Sequence, residues 1–354
     1  MTAPLSGGSA NAGREGFAAR FKRDILSGDG LSVGAVLLLA LASLVIAPSS
    51  LTLAALLAML PFAAILGIAA IGQQFVIQQR GLDLSVGGSI SLVCVIATYE
   101  LPDAAPAADV FGRLAMAIIA GMAAGAANGL LIVRLRIPPL VTTIGMNAIL
   151  MGFVLWLSGG TPGNAPNLLD HFALGRTFGL PNTIIVAALV MLAAMVGLGR
   201  TIAGRRFVLS GTSSAAARAA GIRTDYYEIG AYVLAGLCYA ISGILLAGLL
   251  NVPNLTAGQT YLLATVAAVV IGGNSLLGGK ASPLATVIGA VFMTQLSQML
   301  VAAGLDRSVQ YLLQGAIVIV GASVHVLIPR WMATTCTHLF SCGSVRCLTP
   351  CEGL

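Results

Sequence analysis

Charge is scarce in this chain: Asp, Glu, Lys and Arg make up 8% of its 354 residues, and histidine occurs three times. Soluble domains carry roughly a quarter charged residues, so an ordinary water-facing globular fold is excluded. The scarcity also removes most catalytic options. Intramembrane proteolysis would need a buried serine with a histidine, paired buried aspartates or a His–Glu zinc set. Only His325 falls near an apolar segment, two residues from Ser323, and side chains two apart on a helix do not face each other. No carboxylate falls at the middle of an apolar segment, and no Lys or Arg does either. That argues against an enzyme and against a proton or ion relay, so energy for uphill transport has to come from outside the chain. No cofactor or metal is called for.

What fills the chain instead is apolar. Hydrophobic residues reach 58%, mean hydropathy is +0.96, and 43 residues are glycine. Glycine is common in membrane helices because it lets backbones approach closely. A bilayer core about 30 Å thick takes roughly 20 apolar residues as a helix. Segments of that kind recur at 31–48, 51–78, 84–101, 112–133, 139–157, 182–199, 228–250, 261–277, 284–303 and 309–328. The expected fold is all-α, a polytopic membrane protein of about ten transmembrane helices. Residues 1–30 read as a polar cytoplasmic tail with no small-residue cleavage site, 31–328 as the membrane domain, and 329–354 as a second tail.

The basic residues set the expected orientation. With the N-terminal tail inside, 15 of the 18 Lys and Arg face the cytoplasm, and only Arg113, Arg176 and Arg307 lie outside. The positive-inside bias therefore puts both termini in the cytoplasm of a multi-pass inner-membrane protein. Trp156, Tyr99, Tyr261, Tyr226 and Tyr227 fall near the expected interfaces.

Several polar and small residues stand out against this background. Gln73, Asn128 and Asn147 lie within spans, where amides either bond helices together or line a path for a neutral hydroxylated solute. Gly121, Gly125 and Gly129 recur every four residues and give one smooth helix face. The longest expected cytoplasmic connection runs over 200–227. Ser213 and Ser214 can cap a short helix over 215–220, with Gly221 suited to the left-handed position after it. Carrying Arg218, such a helix either docks on a soluble partner or is an ordinary joining loop. Residues 272–282, GGNSLLGGKAS, imitate a phosphate-binding loop, but Asn274 stands where its first glycine belongs and Ala281 follows Lys280. Nucleotide binding by this chain is excluded. Gly81, Asp83, Gly87, Gly88 and Ser91 match Gly272, Asn274, Gly278, Gly279 and Ser282 at a constant offset of 191, either a parallel internal repeat or a chance match of glycine-rich stretches.

Four of these stretches resemble, in order, the permease subunits of bacterial ABC importers for ribose and other monosaccharides, a family that also includes branched-chain amino acid and nucleoside permeases. They are RGLDLSVGGSIS at 80–91, ANGLLIVRLRIPPLVTTIG at 127–145, GRRFVLSGTSSAAARAAGI at 204–222, and AAVVIGGNSLLGGKASPLATVIGA at 267–290. The resemblance implies a ten-span subunit working as a pair, most simply a homodimer, with cytoplasmic ATPase subunits and a periplasmic solute-binding protein as partners. The ATPase pair would push on the loop at 204–222 and switch the permease between inward- and outward-open states. Ala216, Ala217, Arg218 and Gly221 match its ATPase-coupling motif. Asp83, Ser85 and Gly87 match its first signature, which joins Gln73, Asn128, Asn147 and Asn274 as a candidate solute path, while Asp83 can equally cap the third span. The implied solute is a monosaccharide, with nucleosides or branched-chain amino acids as the alternative within the family and an ATPase-independent secondary transporter or channel outside it. The chain departs from the family at Ser214 and Ala215, where acidic residues are common, and at Leu262, where a glutamate is usual.

The end of the chain departs most. Cys336, Cys342, Cys347 and Cys351 lie with His338 in a short stretch, but without the paired Cys-x-x-Cys arms of a zinc site. A reduced cytoplasmic tail without structure, or an end replaced by a change of reading frame, is the expectation there. Cys94 and Cys238 read as small apolar packing residues.

Overall fold

The computed structural model describes residues 28–306 and 308–320, together with residue 323. The expectations for the two tails, including the Cys336–Cys351 cluster, and for His325 lie outside the described residues. Ten apolar helices take up the ten expected segments: α1 (Gly28–Ile46), α2 (Leu53–Gln78), α3 (Val86–Thr98), α4 (Ala107–Leu135), α5 (Pro139–Ser158), α7 (Asn182–Arg200), α10 (Thr224–Leu250), α11 (Tyr261–Ile271), α12 (Pro283–Ala302) and α13 (Ser308–Val320). Six of them, α2, α4, α5, α7, α10 and α12, are long and apolar enough to cross a membrane, and the other four are shorter. The only strands among the described residues are the two-residue pair Arg176–Thr177 and Leu180–Pro181. The chain is an all-α polytopic membrane protein.

Local chemistry accounts for the helix ends. Thr52, Thr201, Ser213 and Ser282 cap α2, α8 (Ile202–Thr212), α9 (Ser214–Ala219) and α12 through their side-chain oxygens, each taking one of the orphan N–H groups of a first turn. Proline opens α5 and α12, where its missing N–H costs nothing. Gly159 closes α5 in the left-handed region, φ +58°.

Helices α2 and α10 form the centre. Every residue of α2 from Ala63 to Gln78 is buried, and α10 buries Ala231, Tyr232, Ala235, Tyr239 and Ala247 against it. The outer helices are inside out by the standards of soluble proteins: Leu38 on α1 is 72% exposed, Trp156 on α5 79% and Leu312 on α13 74%. Such surfaces are stable facing lipid tails and would be a liability in water. Against α10, helix α4 lays down Gly121, Gly125 and Gly129. A Cβ on Gly125 would stand 2.1 Å from the Tyr232 carbonyl oxygen, so the two backbones touch directly there.

Several details differ from the expectation. Helix α4 starts at Ala107, five residues early, since Ala107, Ala108 and Val110 extend it beyond Pro106. The segment expected at 261–277 stops at Ile271, because Gly272 and Gly273 end the helix and apolar Leu276 and Leu277 belong to a loop. Tyr261 is buried at 8% exposure in the core instead of lying at an interface. Connection 200–227 holds α8 as well as the short α9, and an additional amphipathic helix, α6 (Asn167–Leu174), lies between α5 and α7. The proposed repeat is out of step: at the offset of 191 the start of α3 matches residue 277, whereas α12 starts at Pro283.

Candidate functional site

The two glycine-rich signatures are two places where a partly buried segment leaves helical geometry. After α2, residues 79–85 turn back into the bundle before α3 begins. Their depth is fixed by Gln73, which lies five residues before the end of α2, about 8 Å at 1.5 Å per residue. In the amide orientation that satisfies both of its ends, Gln73 donates to the Asp83 carbonyl at 2.9 Å and to Tyr239 Oη at 3.0 Å, and accepts from the Asp83 N–H at 3.2 Å. Asp83 is therefore drawn inward and is 1% exposed. The reason is accounting: an extended stretch at this depth must bond its backbone to protein, since lipid offers no partner.

Asp83 does not cap α3 itself. Its Oδ1 accepts from the backbone N–H of Ser85 at 2.8 Å and from Ser85 Oγ at 2.6 Å, and Ser85 Oγ in turn accepts from Asn128 Nδ2 at 2.9 Å. That is a side-chain turn across three residues, anchored to α4. The first turn of α3 is capped from another helix: Asn147 Oδ1, on α5, accepts from the Gly88 N–H at 2.7 Å and from Gln259 Nε2 at 3.4 Å.

The second break, residues 272–282, is held by Asn274. Its Oδ1 accepts from the Ser282 N–H at 2.8 Å, and its Nδ2 donates to Thr286 Oγ1 at 2.9 Å and to the Val269 carbonyl at 3.3 Å. Thr286 Oγ1 donates to Gln74 Oε1 at 2.6 Å, tying the break to α2. Of the residues singled out for a solute path, Gly87 is buried in the first turn of α3, and Gln73, Asp83, Ser85, Asn128 and Asn274 are 0–4% exposed and bonded into these breaks. In this structure they latch the two breaks in place, and none lines the polar cavity beside α12. Asn147 reaches it indirectly, through Gln259.

That cavity, about 620 Å³, opens between α2, the C-terminal end of α10, the 254–261 connection, α12 and α13. Amides of Asn254, Gln259, Gln298, Gln310 and Gln314 and hydroxyls of Thr256, Thr294, Ser297 and Tyr311 share its wall with Met59, Phe62, Leu66 and Met293. Gln310 Nε2 donates to Ser297 Oγ, while Gln314, 3% exposed, keeps an Oε1 without a partner among the described residues. No Asp, Glu, Lys or Arg lines it among the described residues. The composition suits a neutral ligand with several hydroxyl groups: amides supply donors and acceptors, and rings and methionines supply apolar faces.

At the far end of α10 lies α9. Ser213 Oγ accepts from the Ala216 N–H at 3.2 Å, and Gly221 follows the helix at φ +76°. Arg218 lies on the surface, donating to Thr224 Oγ1 at 3.2 Å and to Ser214 Oγ at 3.3 Å. Ala216 is exposed, but Ala217 is fully buried beneath α9 and unavailable to a partner, since a six-residue helix lying flat turns one side inward. The 27 residues of α10 separate α9 from the cavity by about 40 Å.

A family model described as "Branched-chain amino acid transport system / permease component" matches residues 55–322. The chain is 31% identical over 262 residues to the ribose import permease protein RbsC of Escherichia coli (strain K12), covering 73% of this chain and 81% of that one. It is 37% identical over 243 residues to the autoinducer 2 import system permease protein LsrC of Enterobacter sp. (strain 638), covering 67% and 68%. The LsrC protein of Yersinia pseudotuberculosis serotype O:1b (strain IP 31758) is 35% identical over 244 residues, covering 68% of each chain. No solved structure matches. With three quarters of its length inside the family model and import permeases among its relatives, the chain belongs to the permease components of this transport family.

Proposed function

We propose that this protein is the membrane-spanning subunit of an ATP-driven importer for a neutral, hydroxyl-rich solute, with a monosaccharide as the first choice. The observation that carries the reading is the pairing of a charge-free, amide-lined cavity at one end of the membrane domain with an exposed short helix at the other. The cavity receives solute from a periplasmic binding protein. Helix α9, with Ala216, Arg218 and Gly221, meets a cytoplasmic ATPase, which performs the hydrolysis. Two copies of the chain form the pathway between them. Both termini and the 200–227 connection are cytoplasmic, as the distribution of Lys and Arg favours. The ribose and autoinducer 2 relatives support a sugar-like solute over a branched-chain amino acid, whose zwitterionic end would find no charged partner in this cavity.

The test is uptake in proteoliposomes holding the permease, its ATPase and its binding protein, with a panel of radiolabelled ribose, leucine and adenosine. Ribose is expected to enter only with ATP, and Gln298→Leu is expected to lower that uptake by about tenfold, the range of one or two lost hydrogen bonds. Leucine or adenosine uptake in place of ribose reassigns the solute; ribose flux without any ATPase makes the chain a channel. Orientation is checked separately by Arg205→Cys in a variant whose Cys336, Cys342, Cys347 and Cys351 are replaced by serine, expected to react with an impermeant maleimide only in inverted vesicles. Labelling from the periplasmic side sinks the model, because no cytoplasmic motor reaches a loop on that face.

A further inference from the structure

Three stretches far apart in sequence meet beside α9: the end of α2, the end of α8, and the second helix break. Arg80, two residues beyond α2, donates through Nε to the Gly211 carbonyl at 3.0 Å and through Nη2 to the Thr212 carbonyl. These are carbonyls of the last turn of α8, which have no intrahelical partner and carry the negative end of the helix dipole. Gln79 Nε2 donates to the Phe207 carbonyl at 2.8 Å, and the Gly279 N–H donates to the Gln78 carbonyl at 3.0 Å. One arginine thus sits where the loop, the first break and the second break join.

The joint leaves no room for sliding. A Cβ on Gly211 would stand 1.9 Å from the Gln78 carbonyl oxygen, and one on Gly278 would stand 2.5 Å from Arg80 Cγ. Arg80 itself has φ +64°, in the left-handed region that disfavours residues with a Cβ. A glycine would relieve that strain but would surrender the guanidinium fork. Local strain of this kind persists where surrounding contacts hold it in place.

We infer that Arg80 is a positioning residue for energy coupling: it locks the α8–α9 end onto both helix breaks, so that displacement of α9 reaches residues 79–85 and 272–282 together. Asp83 lies three residues from Arg80, and Asn274 lies four residues before Gly278, so each latch is next in line to the joint. The inference rests on α9 being the ATPase contact. Without Arg80, α9 moves and the loop absorbs the movement.

The experiment measures ATP hydrolysis and uptake side by side, using the reconstituted complex with radiolabelled ribose or whichever panel solute the wild type imports. Arg80→Gln is expected to co-purify with the ATPase and hydrolyse ATP within about twofold of wild type, while uptake per ATP falls at least tenfold. Arg80→Lys, which keeps the charge but loses the fork, falls in between. An unchanged uptake-to-hydrolysis ratio in Arg80→Gln overturns the proposal, and so does a parallel loss of hydrolysis and assembly, which marks a purely structural role. If Arg80→Gln does not accumulate, Gln79→Leu and Arg80→Lys decide: a lowered ratio in both supports the joint, and a wild-type ratio in either overturns it. Failure of the underlying reading is distinguishable, because Arg218→Glu would then import normally whatever the Arg80 variants do.

Discussion

Gly125→Leu is expected to abolish accumulation of folded protein. The first atom of any side chain at 125 would stand 2.1 Å from the Tyr232 carbonyl oxygen and 2.9 Å from its carbonyl carbon, and both belong to the backbone of α10, which no rotamer change can move. Helices α4 and α10 would have to separate along the whole contact that Gly121, Gly125, Gly129 and Gly236 create. Overpacking of a compliant core costs about 1–3 kcal/mol, and a clash with a backbone lies at or beyond the top of that range. Against a total stability of roughly 5–15 kcal/mol this is enough to divert the chain to degradation. Size-exclusion profiles of a fluorescent fusion give the readout. Gly125→Ala is the sharper control, since it adds only the clashing carbon. A monodisperse peak of wild-type height and thermal midpoint for Gly125→Leu shows that the α4–α10 contact is looser than described.

The second large effect is functional. Arg218→Glu is expected to reduce ATP-driven uptake at least tenfold while leaving insertion and folding near normal. Arg218 lies on the surface, and its two hydrogen bonds, to Ser214 and Thr224, are each worth about 1 kcal/mol at most in a solvated setting. Reversing the charge changes what a docking partner meets: α9 contributes one cation, and Asp225 and Glu228 follow close behind in sequence. A complementary acidic or polar face on the ATPase would lose an attraction and gain a repulsion. Wild-type uptake by this variant, with the protein present in the membrane at normal level, removes α9 from the coupling route.

Much of the architecture was open to reading because lipid imposes a simple rule. A spanning helix must be apolar and of about fixed length, so ten segments stood out and ten helices occupy them. The boundaries that slipped did so where the rule is silent. Leu276 and Leu277 are as apolar as any membrane residue, yet they sit in a loop after Gly272 and Gly273. Helix α8 was hidden by its own basicity: Arg205 and Arg206 read as part of a connection between spans, without revealing that it is ordered.

The site was less legible, and the reason is facing. From sequence, Gln73, Asn128 and Asn274 are simply amides at depth; only packing reveals that they turn toward the helix breaks and bond backbone and neighbouring side chains there. The cavity residues did leave a trace. Thr294, Ser297 and Gln298 share one face of α12, and Gln310 and Gln314 are four apart on α13, a polar stripe in otherwise apolar helices. That periodicity could have been counted. The junction at Arg80 had no comparable signal, since its partners Gly211 and Thr212 lie 131 and 132 residues away and contribute only carbonyls.

The chargeless lining of the cavity has an electrical consequence. Moving one elementary charge across a membrane at 100 mV exchanges about 2.3 kcal/mol with the field, in one direction or the other. A sugar carries no charge, and the described walls of this cavity offer none that would have to shift with it. With solute passing through this cavity, as proposed, the resting voltage of the cell does no work on the solute step, neither hastening entry nor opposing it. Dissipating that voltage with an ionophore should leave import by the reconstituted complex unchanged at fixed ATP.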